Sequence, residues 1–266
     1  MKMEKDFADF HKALEKLAYL FGRDMIRTFE QFLEYAIAGH SCTIKVDLSK
    51  YKKEELKLFH DLYYQWIILQ HTMVSKKGLE WFDAFGLYFE LHSSDWSKKK
   101  KGQFFTPPNL VDMMTAIANP EGSGKNILDP ASGSGRFSIA SHAYNPKNFH
   151  YAMDIDHTCC MMSALNMMIH GVRGEVVWKD ALDFTDYRAG WSINPRIVEL
   201  KGVPHIDLLE KENSFIYHEG LQRKADYERE QEEARQKLLN EEFLDIDEEE
   251  KIILKSKEEK TNFDFF

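Results

Sequence analysis

Residues 126–137 read Asn-Ile-Leu-Asp-Pro-Ala-Ser-Gly-Ser-Gly-Arg-Phe. A short apolar run ends in an acidic residue, Asp129, and a tight turn with two glycines, Gly133 and Gly135, follows it. Glycine lets the backbone approach a ligand where a Cβ atom would collide, and the amide groups at the start of a helix attract polar or anionic groups. The stretch therefore predicts a strand, a ligand-binding turn and a helix that begins near Arg136.

Two more acidic residues follow apolar runs further along the chain. Residues 149–156 form a run that ends in Asp154, whose carboxylate is suited to accept hydrogen bonds from two ribose hydroxyls at the edge of a doubly wound sheet. Residues 175–178 lead to Asp180, which is placed either to accept the exocyclic amine of an adenine or to cap an ordinary turn or helix. Short apolar runs that alternate with helical segments predict βαβ units and an α/β fold.

The composition divides the chain into three parts. In residues 1–95 the apolar positions recur at three- and four-residue spacing, which predicts a helical subdomain with its aromatic residues in the core. Residues 96–221 carry the predicted α/β domain. Residues 222–266 are strongly charged, with sparse apolar positions and neither proline nor glycine. This last part predicts an acidic helical or partly disordered tail, or a helix that docks on another subunit.

The charge balance bears on the expected partners. The 266 residues carry a formal net charge of −9, whereas nonspecific affinity for duplex DNA comes largely from Lys and Arg. If the chain acts on DNA, we therefore expect a partner to supply much of the contact. The sequence has three cysteines, no run of eighteen apolar residues and no signal-peptide pattern, which predicts a cytoplasmic protein that neither spans nor binds a membrane. We expect no metal site.

The order of these motifs resembles that of the adenine-N6 DNA methyltransferases, and most closely that of the modification subunits of type I restriction-modification systems. The resemblance extends over residues 102–184 and rests on four motifs, which are Gly102 to Pro107, Asp129 to Phe137, Asp154 and Asp180. It implies a Rossmann-like S-adenosylmethionine-dependent methyltransferase core after an N-terminal helical subdomain. The implied cofactor is S-adenosyl-L-methionine, and the implied partners are DNA and a specificity or other restriction-modification subunit.

The resemblance also assigns residues to the cofactor site. Residues 102–107 are expected to fold over the methionine part of the cofactor, and the glycine turn is expected to hold its methionine end. Asp154 is expected to bind the ribose, and Asp180 the adenine. The full set of expected cofactor-binding residues is Gln103, Phe105, Thr106, Asp129, Ala131, Gly133, Gly135, Asp154, Ile155, Asp180 and Ala181.

The catalytic motif of that family, Asn-Pro-Pro followed by an aromatic residue, does not occur in this sequence. Adenine N6 is a poor nucleophile, so a catalytic site must accept both amino hydrogens and aim the nitrogen lone pair at the methyl group. The nearest candidates are the side chain of Asn194 and the carbonyl of Pro195. The next two residues, Arg196 and Ile197, replace the second proline and the ring that stacks on a flipped base.

Several functions therefore stay open. If the chain is active, it is a site-specific DNA adenine-N6 methyltransferase. The alternative is a degenerate, noncatalytic methyltransferase-like module that binds cofactor, DNA or a regulatory partner. A methyltransferase for small molecules or proteins is a third option, because Rossmann-like cores serve many substrates. Residues 198–217 are too few and too polar to supply the other strands of a seven-stranded sheet, so we expect a sheet that is truncated or unusually completed.

Overall fold

A computed structural model describes residues 5–76, 78–96, 105–118 and 122–244. The α-helices are α1 (Ala8–Phe21), α2 (Met25–Gly39), α3 (Lys53–His71), α4 (Ala84–Trp96), α5 (Pro108–Ala118), α6 (Arg136–Tyr144), α7 (His157–Ile169) and α8 (Phe215–Leu244). The strands are β1 (Asn126–Asp129), β2 (Phe149–Asp154), β3 (Arg173–Trp178), β4 (Ala189–Ile193) and β5 (Ile206–Leu208). No helix among the described residues is long and apolar enough to cross a membrane.

The first helices form because their apolar residues fall on one side. On α1 the side chains of Phe10, Leu14 and Leu17 recur at the spacing of a helical face, and all three are buried. A backbone break follows at Gly22, which adopts the left-handed conformation with φ 59°. The next helix begins after Asp24, whose side chain accepts a hydrogen bond from an amide of its first turn.

The five strands form one mixed sheet in the order β1-β2-β3-β4-β5. The first three are parallel, β4 is antiparallel to β3, and β5 is antiparallel to β4. The crossover helices α6 and α7 pack against each other and against β2, so both lie on the same face of the sheet. The predicted α/β fold class is confirmed.

The sheet differs in one respect from the doubly wound arrangement expected from the sequence. The spatial order of the strands follows their order in the chain, so the described sheet is wound in a single direction. Consequently β1, which precedes the glycine turn, is an edge strand of the sheet and pairs only with β2 in the part of the chain that the structure describes.

The helical part and the α/β part share one body. Residues up to His218 form a compact unit, and a continuous hydrophobic core within it runs from Phe7 in the helical part to Ile206 on β5. A second unit starts at Glu219, close to the position at which the acidic tail was predicted to begin. Within this second unit α8 carries ion pairs between neighbouring turns, such as that of Lys224 with Glu228.

Candidate functional site

A cavity of about 500 Å³ opens at the carboxyl end of β1 and β2. The ends of parallel strands are the usual place for a ligand in an α/β sheet, because the loops that follow the strands meet there. Of the residues predicted to bind the cofactor, those that line the cavity are Phe105, Thr106, Asp129, Ala131, Gly133, Asp154 and Ile155. The structure therefore brings together residues from three separate parts of the sequence. The predicted residue Gln103 lies outside the described residues.

The turn at Gly133 accounts for the closeness of these parts. Gly133 has φ +53°, and its amide donates a hydrogen bond of 2.9 Å to Oδ2 of Asp154. A Cβ atom at this position would lie only 2.8 Å from the ring of Phe105. Glycine is thus required here on two grounds, since it permits the left-handed backbone and leaves room for the aromatic ring.

The second glycine of the turn has a different role. Gly135 precedes α6 in the left-handed conformation, and a Cβ atom there would lie 2.6 Å from Oγ of Ser163 on α7. The absence of a side chain therefore lets α6 and α7 approach each other closely. Gly135 is not part of the cavity wall, and its predicted contact with the cofactor has no support in this geometry.

The carboxylate of Asp154 is held in place by two backbone amides. In addition to the bond from Gly133, Oδ1 accepts a hydrogen bond of 2.8 Å from the amide of Asp156. Each carboxylate oxygen can accept a second hydrogen bond, so Asp154 retains acceptor capacity on the cavity side. The adjacent side chain of Ile155 is 59% exposed and supplies an apolar surface next to this acid.

The other acid of the cavity is Asp129, at the end of β1. Its Oδ1 accepts a hydrogen bond of 3.2 Å from the amide of Ala131. Burial raises the pKa of Asp129 above its usual range, and the nearby charge of Asp154 acts in the same direction. Two carboxylates in one partly enclosed space favour a ligand that carries positive charge. No group of three or more metal-binding side chains is arranged to hold a metal ion in the described ranges.

The structure places Asp180 at the same end of the sheet, just after β3, but not in the cavity wall. Its Oδ1 accepts a hydrogen bond of 2.9 Å from the amide of Leu182, and its own amide donates to Asp186. This is the turn-capping geometry that the sequence left open as an alternative. The neighbouring Ala181 packs against a small apolar cluster that includes Met153 and Val177. Contact of these two residues with an adenine stays a prediction.

Asn194 lies at the other end of the sheet. Because β4 is antiparallel to β3, its last residue, Ile193, pairs with Gly174 at the start of β3, whereas Asp154 pairs with Trp178 at the end of that strand. Asn194 follows directly and therefore sits at the amino end of the parallel strands, away from the glycine turn.

The Asn194 side chain is also fully engaged. It is buried, and its Nδ2 donates to the carbonyls of Met168 (3.0 Å) and Val172 (2.8 Å). Its Oδ1 accepts a hydrogen bond of 2.9 Å from the amide of His205. The following Pro195 lies on an exposed turn. In this arrangement the Asn194 side chain is bonded to the chain's own backbone, which gives no support to its predicted contact with a target base. The predicted role of the Pro195 carbonyl stays a prediction.

Sequence reasoning missed a buried polar network beside the cavity. The carboxylate of Asp83 is 1% exposed and accepts four hydrogen bonds. Its donors are the Gly86 amide at 2.7 Å, Asn166 Nδ2 at 2.7 Å, Ser134 Oγ at 2.6 Å and Arg136 Nε at 2.8 Å. The sequence does hold one signal, because an acid three residues before Gly86 at the start of α4 matches an N-cap. Nothing in the local sequence indicates the partners contributed by the glycine turn.

The part of the chain that lines the cavity is similar to a known family. Residues 82–189 match the model of the family described as N-6 DNA Methylase. The predicted resemblance is confirmed. The chain is 30% identical over 129 residues to the type I restriction enzyme HindI methylase subunit of Haemophilus influenzae, a match covering 45% of this chain and 27% of that protein. It is 25% identical over 133 residues to the MjaVII methylase subunit of Methanocaldococcus jannaschii, covering 42% and 23% respectively. The chain thus spans about a quarter of the length of these curated relatives.

Two solved structures are similar to the chain. One is a putative class I S-adenosylmethionine-dependent methyltransferase from Listeria monocytogenes, with a TM-score of 0.44 and 11% identity over 74% of this chain and 62% of that one. The other is a type I restriction-modification methyltransferase subunit from Streptococcus thermophilus, with a TM-score of 0.33 and 17% identity over 61% and 36%.

Proposed function

We propose that this chain binds S-adenosyl-L-methionine in the cavity beside Gly133 and is the cofactor-binding part of an adenine-N6 DNA methyltransferase of the type I restriction-modification kind. The observation that carries the proposal is the arrangement at the end of β1 and β2. There the Gly133 amide is bonded to Asp154, and the ring of Phe105 lies against the same glycine.

The residues present fit such a cofactor. A cavity of about 500 Å³ is within the range of small-molecule sites, and a Cβ atom at Gly133 would crowd the Phe105 ring that forms one of its walls. The cofactor supplies a methyl group on a positively charged sulfur. Asp154 has acceptor capacity for ribose hydroxyls, and Ile155 offers an apolar surface beside it. Asp129 adds negative charge that attracts the cationic end of the ligand.

The test of cofactor binding is calorimetric titration of the chain with S-adenosylhomocysteine. We expect micromolar affinity for the natural chain and a loss of roughly ten- to a hundredfold in Asp154→Ala, which is about 1.5–3 kcal/mol for lost hydrogen bonds to a charged acceptor. The control is Asp47→Ala, since Asp47 is exposed and bonds to its neighbour Ser49 at a 3₁₀ turn away from the cavity lining. Absence of binding by the natural chain, or equal losses in the two variants, would contradict the proposal.

The proposed substrate is adenine in DNA, and the proposed partners are other subunits of a modification complex. Support comes from the names of the relatives, which are methylase subunits of type I restriction enzymes. The net charge of −9 also favours a partner that contributes the positive surface for DNA. Association with such a partner would supply the contacts to DNA phosphates that an acidic chain lacks.

A noncatalytic cofactor-binding module is the second candidate. It is favoured by the position of Asn194, whose donors and acceptor are used inside the fold at the far end of the sheet. Transfer of tritiated methyl groups to mixed-sequence DNA tests whether the chain is catalytic without a partner. We expect the isolated chain to bind cofactor without measurable transfer. Robust adenine methylation by the chain alone would reject the noncatalytic module and would require base-orienting groups other than Asn194.

A further inference from the structure

The buried, positively charged side chain of Arg136 lies between the helical part of the fold and the cavity. The side chain of Arg136 is 4% exposed, and its Nε donates to Oδ2 of Asp83 at 2.8 Å while Nη2 donates to Oε2 of Glu90 at 3.0 Å. Asp83 precedes α4 and Glu90 lies on it, whereas Arg136 is the first residue of α6. The three charged groups therefore join the helical part to the helix that follows the glycine turn.

The same guanidinium reaches the segment that forms one wall of the cavity. Its Nη1 donates a hydrogen bond of 2.7 Å to the carbonyl oxygen of Thr106, and its Cζ atom lies 5.6 Å from the centre of the Phe105 ring. Phe105 in turn lies against Gly133. Arg136 thus contacts both the backbone of Thr106 and the ring of Phe105.

A buried ion pair is a weak source of stability, because the cost of removing charges from water offsets much of their attraction. Its main effect is geometric, since a buried arginine left without its partners carries a large penalty. The planar guanidinium also offers donors in fixed directions, which a lysine ammonium does not. Arg136 can therefore hold Thr106 and Phe105 in one arrangement relative to Asp83 and Glu90.

We propose that Arg136 is a positioning residue for the cofactor site, and that Asp83 and Glu90 fix it so that Phe105 and Thr106 stay against the glycine turn. The expected change in affinity rests on the proposed binding of S-adenosylmethionine, whereas the position of the Phe105 ring is testable without any ligand. Arg136 itself lines the cavity but acts here through Phe105 and Thr106.

The test uses the full chain with 4-fluorophenylalanine placed at position 105. Its ¹⁹F resonance reports whether the ring is held against Gly133, and titration with S-adenosylhomocysteine reports the site. In Arg136→Lys we expect the resonance to move toward its position in the unfolded chain and the affinity to fall by about tenfold. The matched control is Arg196→Lys, because Arg196 also pairs with a carboxylate, that of Asp207 at 2.9 Å, but at the opposite end of the sheet.

An unmoved fluorine resonance in folded Arg136→Lys would overturn the inference, whatever the affinity, and so would equal changes in the Arg196 control. If Arg136→Lys does not fold, Glu90→Gln makes the same comparison, since it removes the negative charge of one partner of the guanidinium and leaves Asp83 in place. We then expect a smaller shift in the same direction, and no shift would overturn the inference. If the natural chain binds no S-adenosylhomocysteine, the proposed function fails, but the fluorine measurement still decides whether Arg136 positions Phe105.

Discussion

The turn after β1 and the turn after β4 both contain a residue in the left-handed conformation, but the first lines a cavity and the second is bonded within the fold. Each contains a residue with positive φ, Gly133 at +53° and Asn194 at +52°. In the first turn the residues face a cavity and leave acceptor capacity on Asp154. In the second turn Asn194 bonds to three backbone groups of its own chain. The difference shows that a polar residue is available to a ligand only if the fold leaves its hydrogen-bonding groups unused.

The largest expected effect comes from Asn194→Ala, which tests whether the second turn is structural. The change removes the side-chain hydrogen bonds to two buried carbonyls and one amide, so we expect the free energy of unfolding in urea to fall by about 2–4 kcal/mol. The affinity of the folded protein for S-adenosylhomocysteine should not change. In the control Asn109→Ala, at an exposed position of α5, stability should stay within about 0.5 kcal/mol. A selective loss of affinity in Asn194→Ala would remove the contrast between the turns.

The opposite pattern is expected for Gly133→Ala in the first turn. A left-handed backbone costs a residue with a Cβ atom roughly 1–2 kcal/mol, and here the new atom also collides with Phe105. We expect a stability loss of about that size together with weaker binding of S-adenosylhomocysteine. Gly22→Ala is a matched control, because Gly22 has φ +59° and nothing lies within 4 Å of its Cβ position. Equal binding by the two variants would show that the collision with Phe105 does not affect the site.

The smallest expected effect is a dependence on pH at Asp129. Because its pKa is raised in the folded chain, the folded state binds more protons than the unfolded state just above the usual Asp range. The natural chain should therefore lose stability relative to Asp129→Asn as the pH rises through that range. Over the same range the ionised carboxylate should strengthen binding of cationic S-adenosylmethionine by about two- to tenfold, and binding of uncharged-sulfur S-adenosylhomocysteine by less. Parallel pH profiles for both ligands would contradict this assignment of charge.

These contrasts show which features the sequence could predict. The strand, glycine turn and second acid were predictable, because each is encoded within a few residues and their order follows the chain. The role of Gly135 was not, since two glycines one residue apart look alike until Phe105 and Ser163 are placed beside them. The position of Asn194 at the far end of the sheet was not predictable, because an Asn-Pro dipeptide carries no information on strand direction and β4 is antiparallel to β3.

The network around Asp83 was hidden for another reason. Its partners Ser134 and Arg136 lie more than fifty residues away in sequence, at separations of 51 and 53, and Asn166 at 83. Local patterns identify an N-cap at Asp83 but not the groups that share its carboxylate. Such long-range bonds are determined by the packing of α4 against the α/β part, which periodicity does not specify.

The contact between Gly133 and Phe105 restricts the order in which mutations can accumulate. A side chain at position 133 collides with the phenylalanine ring, whereas a smaller residue at position 105 creates no clash with glycine. Loss of the ring therefore lowers the cost of a later side chain at position 133, and the reverse order carries the full cost of the collision. In a drifting lineage, position 105 would change first, and an intact Gly133 beside a reduced residue 105 would mark an intermediate in the decay of the site.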